Sequence, residues 1–215
     1  MAGPHLRALR CVYCERVFSP ASGLMTCPVC GPSGTLDVLF DWDSVRSRLK
    51  SDELAGDRRW SIERYAPLLP VAFAEEPLPL PVGGTPLVRA SRLGLQLGVA
   101  QLWVKDESRQ PSASLKDRAS VVAALHARQA KASKMATAST GNAAASLATI
   151  CAALGMPSAI FVPAGAPRAK LAQLQMCGAQ LFLVEGGYDD AFRLCAEACE
   201  HFGWYNRSTG INPFC

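Results

Sequence analysis

Between residues 102 and 206 short apolar runs alternate with longer helical patterns, and three of those patterns are followed directly by glycine. Strands separated by helices cannot close tight hairpins; they return to the same edge and build a parallel sheet. The expected strands are Leu102–Lys105, Lys134–Ala138, Ala159–Pro163, Gln180–Val184 and Trp204–Asn206. The expected helices are Ser114–Gln129, Asn142–Leu154, Pro167–Cys177 and Asp189–Phe202. Gly155, Gly178 and Gly203 stand where a helix ends in a left-handed cap, which glycine enters without a Cβ clash. The class is therefore α/β, with parallel βα units over residues 87–215.

Two regions of different composition precede this one. Residues 1–40 hold paired cysteines and a β-like run at Leu36–Phe40. Residues 41–86 open with a short helical pattern, Asp43–Lys50, and then carry Pro67, Pro70, Pro77, Pro79, Pro81 and Pro86. Residues with locked φ and no N–H at that density predict an extended connector crossing a surface. The 215 residues are 49% hydrophobic and 19% charged, with a net charge of +4, and no apolar run has membrane-spanning length. No apolar segment of signal-peptide type precedes Cys11, so a cytoplasmic, reducing location is expected.

Cys11-Val-Tyr-Cys14 and Cys27-Pro-Val-Cys30-Gly31 are two Cys-x-x-Cys pairs separated by twelve residues. Each pair can offer two thiolates to one ion through a tight turn, so Cys11, Cys14, Cys27 and Cys30 predict a tetrahedral zinc site. Four thiolates leave no open position, which makes the role structural, and a 40-residue segment needs such a staple to fold. Glu15 stands where a glycine is more usual after the first pair; two free dithiols or two disulfides are the alternatives. Residues 1–40 contain three arginines against two carboxylates, with no interleaved basic and aromatic face. Nucleic-acid binding is not expected.

Two further motifs carry chemistry. Pro111-Ser112-Ala113-Ser114-Leu115-Lys116-Asp117-Arg118 places a lysine where a loop of small residues enters a helix. The positive end of a helix disfavours an ammonium, as does burial, so this suits a lysine that must attack an aldehyde. Ser139-Thr140-Gly141-Asn142 follows a strand and opens an alanine-rich helix, where N–H groups and hydroxyls can receive a carboxylate. The plainer readings are a solvated first-turn lysine and a serine or threonine N-cap. Arg118 is a candidate partner for a nearby carboxylate. Lys105, Asp106 and Glu107 form a charge cluster that could make ion pairs or meet a substrate phosphate.

Together the two motifs resemble the lysine and asparagine motifs of the fold-type II pyridoxal-phosphate (PLP) enzymes, the tryptophan synthase β-like fold. Lys105-Asp106-Glu107 and Tyr205-Asn206-Arg207 with Asn212-Pro213-Phe214 look most like threonine synthase, some members of which carry an N-terminal zinc ribbon. The resemblance implies PLP on Lys116, with Asn142 donating to its phenolic oxygen. Ser139, Thr140 and Gly141 would meet the amino-acid carboxylate, and Asn206 and Arg207 a substrate phosphate. It implies conversion of O-phospho-L-homoserine and water to L-threonine and phosphate. Cysteate synthase, threonine or serine dehydratase and diaminopropionate ammonia-lyase are alternatives within the same fold type.

The chain departs from the pattern at Ala113 and Ala119, where relatives often have glycine, and at Leu115, where they often have phenylalanine. The family binds the PLP phosphate with a glycine-rich loop further along, and no run of glycines opens a helix after position 203. The expectation is thus the N-terminal portion of such an enzyme, its other half absent or supplied by a second chain, with a homo-oligomer one possibility. A silent fragment acting in assembly is the reading from another functional class.

Overall fold

The computed structural model describes residues 3–74 and 77–215. It begins with a small three-stranded antiparallel sheet, in which β1 (Leu6–Cys11) lies between β2 (Val17–Phe18) and β3 (Leu36–Phe40). Leu9, Cys11, Cys27 and Leu36 form its core, and the fifth buried member is Phe214, from the far end of the sequence. Next come α1 (Trp42–Arg48), capped by Asp41 Oδ1 accepting from Ser44 N at 3.1 Å, and α2 (Ser51–Gly56).

The proline-rich stretch does more than cross a surface. Ile62, Val71 and Val82 are buried in the main core, so valines between the prolines anchor the connector into the domain it was expected to skirt. Glu75 and Glu76 of this stretch lie outside the described residues. β4 (Leu87–Arg89) and α3 (Ser91–Leu97) follow, and β5 (Trp103–Lys105) then pairs antiparallel with β4. The expected Leu102–Lys105 strand is thus present but belongs to a separate two-stranded sheet rather than the parallel one.

The remaining elements are α4 (Lys116–Gln129), β6 (Met135–Ala138), α5 (Asn142–Ala153), β7 (Ser158–Pro163), α6 (Arg168–Met176), β8 (Gln180–Val184), α7 (Tyr188–Phe202) and β9 (Tyr205–Asn206). β8, β7, β6 and β9 lie side by side, every pairing parallel. Period-two alternation sorts their side chains between two layers. Met135, Ile160 and Val162 face α4, α5 and α6, whereas Ala136, Ala138, Ala159 and Phe161 face α7. α7 meets that face with Ala191, Cys195 and Cys199, spaced four residues apart on one stripe. Gly155, Gly178 and Gly203 take the expected left-handed conformation, at φ 65°, 74° and 66°. Among the described residues no helix is long and apolar enough to cross a membrane.

In parallel sheets of this kind ligands bind beyond the carboxyl ends of the strands. Here that edge carries the turn after β6 and the segment after β9.

Candidate active site and metal cluster

The lysine loop is held from below by one buried carboxylate. Asp117, fully buried, accepts from Ser112 N at 2.7 Å and Ser112 Oγ at 2.5 Å. Ser114 Oγ accepts from Lys116 N at 3.2 Å, and Ala113 turns the chain at φ +57°, a left-handed value that favours glycine. Behind the loop, Arg118 grips Glu107 with two hydrogen bonds, at 2.8 and 2.9 Å. Glu107 also accepts from Thr85 Oγ1 at 2.7 Å and Gln110 Nε2 at 2.9 Å. The Arg118 guanidinium holds the Glu107 carboxyl down to about 2, ahead of smaller contributions from Thr85 and Gln110.

The charge cluster is therefore internally satisfied: Glu107 pairs with Arg118, Lys105 donates to Thr85 O, and Asp106 caps Ser108. Lys116 differs. Its amine has no hydrogen-bond or ion-pair partner among the described residues.

The strand-to-helix turn after β6 is arranged differently from a hydroxyl N-cap. Gly141 occupies the N-cap of α5, and Ser139 Oγ accepts from Gly141 N at 3.1 Å, leaving the first helical N–H groups without a side-chain acceptor. Space around Gly141 is open, with nothing within 4 Å of where a Cβ would lie. Asn142 is exposed, and its amide has no partner among the described residues.

One serine ties these turns together. Ser120, a helical turn beyond Lys116, accepts from Ser146 Oγ at 2.7 Å, and Ser146 lies one turn beyond Asn142. Arg207, the first residue after β9, donates Nε to the same Ser120 Oγ at 3.3 Å. Lysine turn, asparagine turn and arginine segment are thus brought to one edge of the sheet by a node that the sequence reading missed. Its available signal was a serine four residues along each helix, on faces otherwise filled by alanine, valine and leucine.

Arg207 is 1% exposed and pairs with no carboxylate among the described residues. Nη1 reaches Thr209 Oγ1 at 3.4 Å, while Nη2 is buried without a partner. Burial pushes the Cys215 thiol up, and its Sγ lies 3.1 Å from Arg207 O. A buried guanidinium without a counter-charge is costly unless an anion completes it. Asn206 is placed otherwise: its Oδ1 accepts from Ser208 N at 2.9 Å and its carbonyl from Asn212 Nδ2 at 2.7 Å, so it shapes the turn.

The four cysteines of the N-terminal sheet converge. Their sulfurs lie within 4.8 Å of one another, with Cys11–Cys30 at 3.8 Å and Cys14–Cys27 at 3.7 Å. A tetrahedron with metal–sulfur bonds of about 2.3 Å has edges of about 3.8 Å, so the spacing fits zinc. Gly34 makes room for it: a Cβ there would stand 2.6 Å from Cys27 Cβ and 2.8 Å from Cys30 Cβ.

Residues 78–215 match the family described as pyridoxal-phosphate dependent enzyme. The chain belongs to that family. Within it, the chain is 35% identical over 207 residues to a threonine synthase of Methanosarcina acetivorans, covering 96% of this chain and 49% of that protein. A threonine synthase of Methanocaldococcus jannaschii is 32% identical over 206 residues, covering 95% and 50% respectively. This PLP-family chain thus spans about half the length of the threonine synthases it matches. Among solved structures, the processed form of threonine deaminase isoform 2 from Solanum lycopersicum superposes with TM-score 0.53 at 27% identity, over 57% of this chain and 34% of that one. Diaminopropionate ammonia lyase from Escherichia coli, complexed with D-serine, gives 0.52 at 22% identity, over 62% and 38%, and speaks for the fold alone. As a member of the PLP-dependent family the chain offers an unpartnered lysine amine, an unpartnered asparagine amide, an uncapped helix entrance and an orphaned guanidinium N–H, all compatible with a phosphorylated aldehyde and an anionic substrate.

Proposed function

We propose that this chain supplies the lysine, asparagine and arginine side of a threonine synthase-like site, at which phosphate is eliminated from Cγ of O-phospho-L-homoserine, Cγ takes up a proton and water adds at Cβ, giving L-threonine and phosphate. The observation that supports this reading is the Ser120 node, which joins Arg207 to the two helices that Lys116 and Asn142 open, in a chain 35% identical to a threonine synthase over nearly all its length. PLP, when bound, supplies an electron sink for charge developing beside Cα. Lys116 would hold the cofactor and afterwards move protons at Cα and its neighbouring carbons. Asn142 would donate to the cofactor's phenolic oxygen, and Ser139, Thr140 and the N–H groups from Gly141 onward would orient the substrate carboxylate. Arg207 would meet the leaving phosphate, which answers its missing counter-charge. Zinc on Cys11, Cys14, Cys27 and Cys30 is structural in this reading.

The deciding assay is phosphate release from O-phospho-L-homoserine by the full-length protein, alongside 2-oxobutyrate formation from threonine. The similarity to threonine deaminase favours the second product, and its dominance would replace this reading by a dehydratase. Lys116→Ala should abolish turnover, and borohydride reduction followed by peptide mapping should place the cofactor-derived label on Lys116; label on Lys105 would overturn the assignment.

A further inference from the structure

We infer that Phe214 is a positioning residue through which the four-cysteine cluster fixes the segment carrying Arg207. The inference rests on the reading of Arg207 as an anion partner. Phe214 is buried, 3% exposed, and completes the core made by Leu9, Cys11, Cys27 and Leu36, so its ring packs in the same cluster as two of the four metal-ligating cysteines. On its other side it stacks on His126 of α4, ring centroids 3.6 Å apart. His126 Nδ1 in turn meets Tyr205 Oη at 2.8 Å, at the start of β9.

From Phe214 the link to Arg207 is a chain of hydrogen bonds. Phe214 N donates to Asn212 Oδ1 at 2.8 Å, and Asn212 Nδ2 donates to the carbonyl of Asn206 at 2.7 Å. Arg207 follows directly, its N donating to Ala136 O at 2.8 Å and its Nε to Ser120. Cys215, next to Phe214, returns its thiol to the Arg207 carbonyl. Residues 206–215 contain no helix and only the first of them belongs to a strand, so these contacts set their course together with the turn in which Ser208 O accepts from Ile211 N and Asn212 N. A thiolate cluster that closes the small sheet on Phe214 therefore also holds the guanidinium at the sheet edge.

The test uses amide hydrogen exchange and substrate kinetics on the full-length, zinc-loaded protein. Phe214→Ala should keep one zinc per chain yet speed exchange across residues 206–215 by at least tenfold, leaving Arg168–Met176 unchanged. It should raise KM for O-phospho-L-homoserine about tenfold with a smaller change in kcat, and Phe214→Leu should restore most of both. Chelating zinc from the unsubstituted protein should produce the same local exchange. Unchanged exchange over 206–215 in Phe214→Ala overturns the inference, whatever chelation does to the rest of the fold. Faster exchange in a protein that never acts on O-phospho-L-homoserine leaves the coupling standing and removes the functional reading instead.

Discussion

Two single positions carry more than their size suggests. Ala113 holds φ +57° in the lysine loop, where a Cβ meets the carbonyl in the left-handed region at about 1–2 kcal/mol. Glycine relieves that strain and returns part of the gain as unfolded-chain entropy, so Ala113→Gly should stabilise by roughly 0.5–1 kcal/mol. Urea denaturation would read the shift, and a destabilised variant would show that the turn is not strained. The glycine of related enzymes already flagged this position in the sequence; the backbone angle that explains it was not legible there. Gly34 works by space instead, since a methyl group would collide with the β-carbons of Cys27 and Cys30. Gly34→Ala should release zinc at lower chelator concentration than the unsubstituted protein, measured with a colorimetric zinc indicator. No sequence motif marked Gly34, because it lies outside both Cys-x-x-Cys pairs.

At the scale of elements, periodic segments were readable and unpatterned ones were not. Gln180–Val184 and Leu36–Phe40 stand as expected, and the four long helices differ only at their ends. The helix Ser91–Leu97 escaped notice because Leu93, Leu95 and Leu97 repeat every second residue and give no helical stripe. Hydrogen bonds between helices escaped for another reason: a serine in an apolar helix face reads the same whether or not a partner awaits it. Ser120→Ala removes the acceptor shared by Ser146 and Arg207, leaving buried donors unsatisfied at about 1–3 kcal/mol. The loss should appear in thermal denaturation together with a raised KM for the phosphorylated substrate. α4 also carries a pH signature. Burial pushes His126 down to about 4 from its usual 6.5, so the folded protein binds this proton less readily than the unfolded chain. Stability from this residue is present above about pH 6.5 and is lost as pH falls towards 4. His126→Gln should flatten the dependence of Tm on pH across that window.

For the molecule as a whole, the apolar surface is unevenly distributed. Every residue of the two-stranded sheet β4–β5 is exposed, including Leu87, Val88, Trp103 and Val104, and Leu95 and Leu97 of the adjoining helix are 85% and 62% exposed. A two-stranded sheet bare on both faces is marginal in water. The 215-residue chain by itself should therefore self-associate or bind a hydrophobic dye, as sedimentation and fluorescence would show; a monodisperse, dye-silent monomer would contradict this. The α/β class was legible because it follows from local periodicity, whereas the joining of the cysteine-bearing sheet to the rest depends on partners a whole chain apart. That separation has a bearing on biogenesis. A ribosome makes Leu9 and both cysteine pairs early, but their shared core lacks its last ring until residue 214 has been synthesised and released from the exit tunnel. That segment thus matures well after its own translation, and during the interval its thiols meet the cell's metal and redox pools without the cover that Phe214 gives them in the folded protein.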